Sequence, residues 1–476
     1  MKSGSPAGGA ALSRAVLTPT AAKLAVAVAV FLAILLMPTP EGLTLQGQRA
    51  LAVMTFVVVL WATEVVHSSV AGIIGVVLLV LFGAVSGIGE GVYGFSQPVC
   101  YFLIGILTLG LAVHHSGLAE RMATFLMRGA TGRPSLLYVQ MLFSFAALTF
   151  ALPSASTRGA IMVHVYEQVL EQWDIPQGHP FYKATMMAMG ALNRLGSTAL
   201  LAGGITPVVA SGLLGDFSWT QWFVMMSVPF YANLVAGGTM LFLFYRSGFR
   251  PEGISNATPA LPGPIKPAEV RAGAIVILTA LMWFTDFAHG LHPSVPALIA
   301  LCLILLPRVG ILSWGEFERN VGWTNFFVIA TSLSLAHALV SSGAAAWFSE
   351  TLVGGVSQLA QQPMLALLAL SACFAMVRML MPNIAGYLAL VIPVAMATGD
   401  SLGLNPLVCG MAAVVVGDSA VYYGAGGTSA VFVFQGANIA NPEIFRFGMA
   451  MTVLVIAILL LAVVPYWNLV GYPLAP

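Results

Sequence analysis

Gly196-Ser-Thr-Ala-Leu-Leu-Ala-Gly-Gly-Ile-Thr-Pro207 is a run of small, hydroxylated and helix-breaking residues inside an apolar stretch. A second such run, Gly417-Asp-Ser-Ala-Val-Tyr-Tyr-Gly-Ala-Gly-Gly-Thr-Ser429, follows about 220 residues later. Each reads as a helix that unwinds partway. Working outward, two further breaks precede them: Ala151-Leu-Pro-Ser-Ala-Ser-Thr-Arg158 and Arg378-Met-Leu-Met-Pro-Asn-Ile-Ala-Gly386. Earlier still, Trp61-Ala-Thr-Glu64 returns as Trp283-Phe-Thr-Asp286, and Ser116-Gly117 as Ser342-Gly343. Pairs in the same order, spaced by about 220 to 230 residues throughout, point to internal duplication.

Composition sets the solvent. Of 476 residues 59% are hydrophobic and only 7% charged, far from the balance of a water-soluble domain. Runs such as Ala22–Met37, Leu51–Ala62, Val70–Val85, Ala272–Phe284, Val295–Leu306 and Met451–Val464 suffice, with their flanks, to cross a hydrocarbon layer. The expected fold is an all-α polytopic membrane protein. It would have two inverted-topology repeats, about 11 transmembrane helices, two re-entrant hairpins (134–172 and 363–398) and two unwound helices (183–214 and 405–436). The first apolar segment has no convincing cleavage site and reads as a retained helix. With the N-terminus cytoplasmic, fourteen of the 18 basic residues fall inside and only Arg49 outside, as the positive-inside rule asks. Arg158, Arg194 and Arg378 remain in the membrane. The layout is a tail at 1–21, a first repeat at 22–245, a cytoplasmic linker at 246–270 and a second repeat at 271–476. The C-terminus would face outward, in the cell's inner (plasma) membrane.

Other classes lack their signatures. There is no His-Glu-x-x-His and no phosphate-binding Gly-Lys-Ser/Thr. Val415-Val-Gly-Asp418 and Ala397-Thr-Gly-Asp400 lack the first glycine of an intramembrane aspartyl protease. The chain reads as no enzyme, with no organic cofactor and no nucleic-acid partner. Cys100, Cys302, Cys373 and Cys409 have no paired spacing and read as buried packing residues. Glu64 and Asp286 read as interfacial, with Trp61 and Trp283 as core or belt residues.

The breaks hold the polar chemistry. Backbone that leaves helix inside a bilayer survives only where protein or a wet cavity satisfies it. Candidate substrate contacts are Ser154, Ala155, Ser156, Thr157 and Arg158 at the first tip, and Pro382, Asn383 and Ile384 at the second. Thr198, Gly203, Gly426 and Thr428 at the unwound stretches complete the set. Arginine grips oxyanions with a planar fork of donors, and three arginines against Asp418 leave an excess of positive charge. That excess favours a small anion. Arg158 is the first candidate to grip it, with Arg194 and Arg378 as additional charge partners; the structural alternative for each is to cap hairpin carbonyls or pair with Asp418. Arg158→Ala would then abolish uptake and spare the fold. Asp418, opposite Ser197 in the repeat and beside Ser419, suits a sodium ion, a coupling proton or an arginine partner. Carbonyls near Gly196 and Gly417 would suit Na+. His164, after Arg158, is a proton carrier or a packing residue. Tyr422 and Tyr423 are candidate lining residues.

Over nearly its whole length the chain resembles the divalent anion/sodium symporter family. The likeness runs through Gly47-Gln-Arg-Ala-Leu-Ala52, Leu60-Trp-Ala-Thr-Glu64, Leu281-Met-Trp-Phe-Thr-Asp286, His289-Gly-Leu-His-Pro293, Leu333-Ser-Leu335, Ser342-Gly343 and Ile439–Gly448. The resemblance implies eleven spans, two re-entrant hairpins, a homodimer, and an elevator-like cycle carrying dicarboxylates, tricarboxylates or sulfate. Members carry Ser-Asn-Thr at each tip, whose Asn helps coordinate sodium. Here the tips read Ser154-Ala155-Ser156 and Asn383-Ile384-Ala385, and the usual Thr-Pro-Pro-Asn of the unwound helices is replaced. Fold carries over well by this resemblance, sodium coupling poorly.

Overall fold

The computed structural model describes residues 19–127, 132–152, 154–215, 217–250, 263–354, 362–424, 433–434, 437 and 439–475. All regular structure among them is helical. Among the described residues eight helices are long and apolar enough to cross a membrane: Leu45–Thr63, Pro98–Ser116, Trp219–Phe244, Pro267–Phe284, Trp323–Ser341, Pro363–Leu380, Ile384–Ser401 and Asn441–Leu469. Shorter apolar helices, among them Thr20–Leu36, Ser68–Leu81 and Ser294–Leu305, fill the remaining expected spans. Large apolar side chains such as Leu81, Val235 and Leu461 stand exposed around the outside. That surface suits hydrocarbon, not water.

Hairpins and broken helices fall where the prolines and glycines direct. The first hairpin is Pro134–Ala147, a tight turn of helix Leu148–Phe150, and Ala155–Gln172. The second is Pro363–Leu380 and Ile384–Ser401. After the first hairpin the chain runs as Pro180–Ala191, Asn193–Thr198, a single turn Leu201–Gly203, and Ile205–Leu214. After the second, the helix Pro406–Ser419 ends where Ala420 turns extended (φ −117°, ψ 143°). Proline cannot continue a helix hydrogen-bond ladder, which places each tip.

Local details recur in the two halves. Trp61 and Trp283 each donate an indole N–H across a 3.0 Å bond to the start of the next helix, at the carbonyls of Ser68 and Pro293. Both rings are buried, so they belong to the core and not to a belt. Gly117 (φ +86°) and Gly343 (φ +76°) each follow a long span, in the left-handed region that glycine enters without steric cost. Each is followed by a short helix, Leu118–Leu126 or Ala344–Gly354. Those short helices pack on the hairpin limbs Ala155–Gln172 and Ile384–Ser401 respectively.

One helix is completed from far away in sequence. Pro229 interrupts the ladder of Trp219–Phe244, removing the N–H that the carbonyl of Met225 would have bound. Trp467 Nε1 donates to that carbonyl at 2.7 Å, and the Tyr466 hydroxyl donates to the neighbouring carbonyl of Val224 at 2.5 Å.

Two expectations need correction. Cys100 and Cys409 are buried, but Cys302 and Cys373 are exposed, because an apolar run does not reveal which helix face meets lipid. Asp286 is buried, unlike exposed Glu64. It accepts from the Thr220 amide at 2.9 Å and hydroxyl at 2.7 Å, joining two helices.

Candidate functional site

Each hairpin tip is an N-cap. Ser154 Oγ accepts from the Thr157 amide at 3.2 Å and from the Thr157 hydroxyl at 3.0 Å. Asn383 Oδ1, its partner in the repeat, accepts from the Gly386 amide at 3.0 Å. Capping an otherwise orphaned amide is the ordinary reason for Ser or Asn here. It has a second effect. With its lone pairs taken, Ser154 has only its O–H to offer, and Asn383 has its amide N–H groups. Ser154, Ala155, Ser156, Thr157, Pro382, Asn383 and Ile384 are all half-buried, so both tips are partly accessible.

Arg158 and Arg378 lie beneath the tips, 0% and 2% exposed. Arg158 donates to Leu152 O at 2.9 Å, Asn193 Oδ1 at 2.7 Å and Asn193 O at 3.0 Å, and also to Ser197 Oγ. Arg378 donates to Gly417 O at 2.9 Å and Pro382 O at 3.1 Å, and also to Met381 O. Leu152 and Met381 precede the two tip prolines, and Ser197 and Gly417 begin the two breaks. Arginines at non-equivalent sequence positions therefore make the same connection. Each ties a tip to the broken helix behind it by donating to neutral oxygens.

The halves meet at Asp418, 1% exposed. Its carboxylate accepts from the Thr198 hydroxyl at 2.5 Å and the Thr206 hydroxyl at 3.0 Å, and lies 3.9 Å from Arg194 Nη1. Arg194 Nη2 donates to Ala420 O at 2.6 Å, while its Nε has no partner. Arg194 is thus the guanidinium with donor capacity to spare. Ser419 lies beside Asn233 of the long helix Trp219–Phe244.

Gly203 has a steric reason to be glycine. A Cβ there would lie 1.7 Å from the Ser197 carbonyl oxygen. Gly203→Ala is expected to force the first break open and lower the melting temperature of detergent-purified protein by several degrees, a shift that a wild-type curve would refute. Gly196 is packed on Phe145, where a Cβ would lie 2.6 Å from the backbone, and Gly417 on the Tyr387 ring, at 2.1 Å. Both glycines fix where a hairpin limb meets a broken helix.

Other candidates scatter. His164 is exposed and pairs with Gln168 one turn on, away from Asp418. Tyr422 bonds Thr452 at 2.7 Å and Tyr423 reaches the carbonyl of Met379, so both brace the second break. Pro153, Gly426 and Thr428 lie outside the described residues. Sequence reasoning missed Asn193, Thr206 as a ligand of Asp418, and Asn233. An isolated amide or hydroxyl inside an apolar run was the available signal for each.

Two capped hairpins, two broken helices and a lipid-facing shell define a polytopic membrane protein of the transporter type. The family model for the sodium:sulfate symporter transmembrane region matches residues 19–472, and the chain belongs to that family. A membrane protein of Cupriavidus necator is 24% identical, over 94% of this chain and 92% of its own. The L-tartrate/succinate antiporter of Escherichia coli K12 is 23% identical, over 84% and 90% respectively. The crystal structure of the Alcanivorax borkumensis YdaH transporter is similar with a TM-score of 0.51 at 15% identity, covering 82% of this chain and 88% of that one. Neisseria gonorrhoeae MtrF gives 0.55 at 11% identity, covering 95% and 97%. These structures share the fold.

Proposed function

We propose that the chain is a secondary carrier of small anions that works by exchange and does not require sodium. The observation that carries this reading is the pair of arginine cages. Rings of carbonyl and hydroxyl oxygen between a tip and a break are what a hard cation would use. Here Arg158 and Arg378 fill them. A cation built into the chain attracts an anion but cannot dissociate with it, so it stores no ion gradient.

The Ser154 O–H and the Asn383 amide N–H groups at the tips suit an oxyanion. In this reading a di- or tricarboxylate, sulfate or sulfonated acid lies between Ser154–Thr157 and Pro382–Ile384, with Thr198, Gly203, Gly426 and Thr428 around it. Arg194 supplies the contacting guanidinium, and Arg158 and Arg378 act through their field. The antiporter relative supports a dicarboxylate. The rest of the arrangement is proposed with it: repeats 22–245 and 271–476 of opposite orientation joined by 246–270, two copies per assembly, and movement of hairpins and breaks together about Gly117 and Gly343. The N-terminus would be cytoplasmic and the C-terminus outside. A second reading, coupling to H+ or Na+ at Asp418 with Ser197 and Ser419, is favoured by the burial of that carboxylate among hydroxyls.

Liposomes carrying purified protein test both. Labelled succinate or sulfate should enter vesicles loaded with unlabelled anion, in sodium-free medium, and should not accumulate in empty ones. Accumulation in empty vesicles under a sodium gradient would overturn exchange. Accumulation under a proton gradient would establish the second reading.

A further inference from the structure

We infer that Asn233 is a positioning residue for the second half of the site, acting through Ser419; this rests on the anion-carrier reading above. Asn233 sits near the middle of the apolar helix Trp219–Phe244 and is 0% exposed. Its Nδ2 lies 3.5 Å from Ser419 Oγ, and its Oδ1 has no partner. Ser419 is the last helical residue before Ala420 turns extended, and it follows Asp418, which links the halves.

Stability does not account for an amide there. A buried acceptor without a donor is a cost, and a leucine of similar volume would remove it. What the amide adds is direction. It holds the Ser419 hydroxyl at the corner where the second helix breaks. The same corner is gripped from the first repeat by Arg194, whose Nη2 binds Ala420 O and whose Nε also lacks a partner. An unmet acceptor and an unmet donor therefore border the same two residues. That arrangement suits a corner that takes a second position when the site reloads, with spare hydrogen-bonding capacity ready for it.

The test separates positioning from packing. Asn233→Leu should stay folded, with a melting temperature in detergent at least that of wild type, while exchange turnover falls about tenfold or more at unchanged KM. Asn233→Ser, which can still reach Ser419 through one water, should recover much of the turnover. Ser419→Ala should reproduce the leucine phenotype, and the double variant should be no slower than either single one, as residues acting through one bond behave. Full turnover in a stable Asn233→Leu protein would overturn the inference, as would strictly additive losses in the double variant. A wild-type protein that moves no anion would instead sink the carrier reading on which this rests.

Discussion

Arg158→Met and Arg378→Met should leave little folded protein in the membrane. Each guanidinium satisfies backbone carbonyls that no water can reach. Removing it strands several acceptors at a cost of about 1–3 kcal/mol each. Set against a typical total stability of about 5–15 kcal/mol, that is a large fraction. Arg158→Lys keeps the charge but loses the planar fork, so it should fall between methionine and wild type. Monodispersity and melting temperature in detergent are the readouts. The sequence alone suggests a different outcome, a stable protein that no longer transports. If Arg158→Met proves stable and inactive, the guanidinium returns to the substrate.

Asp418→Asn should fold and transport poorly. Asparagine fits the same space and keeps one oxygen for Thr198 or Thr206. It removes the carboxylate that faces Arg194, leaving an uncompensated buried charge. Breaking such a pair costs on the order of 3–5 kcal/mol. Part of that will appear as instability. We expect exchange to fall about a hundredfold, equivalent to roughly 2.7 kcal/mol. The rate of labelled succinate exchange in liposomes, measured with and without sodium and proton gradients, decides the point. Unchanged exchange together with unchanged ion dependence would remove Asp418 from the site.

Breaks were legible in the sequence because they violate an expectation. Proline, glycine and hydroxyls inside apolar runs stand out, so both hairpins, the first unwound helix and the start of the second break fall close to where Pro153, Pro382, Gly196 and Gly417 place them. The three intramembrane arginines were equally visible. Their employment was not. Whether a guanidinium faces substrate or a carbonyl depends on where residues such as Asn193 or Met381 bring their oxygens, and no spacing rule carries that. Asp418 shows the same limit: its hydroxyl partners Thr198 and Thr206 come from the other half of the chain. Cys302 and Cys373 failed for a simpler reason. In lipid both faces of a helix can be apolar, so periodicity no longer separates inside from outside.

The proline gap in Trp219–Phe244 bears on the order of assembly. The carbonyl of Met225 enters the bilayer with no helical partner, and its donor, Trp467, is made more than two hundred residues later. Until then the first half of the molecule carries an unpaid polar group at membrane depth. Its final packing therefore waits on the helix that carries Trp467, and the nascent protein stays unfinished at its centre until that helix has been made.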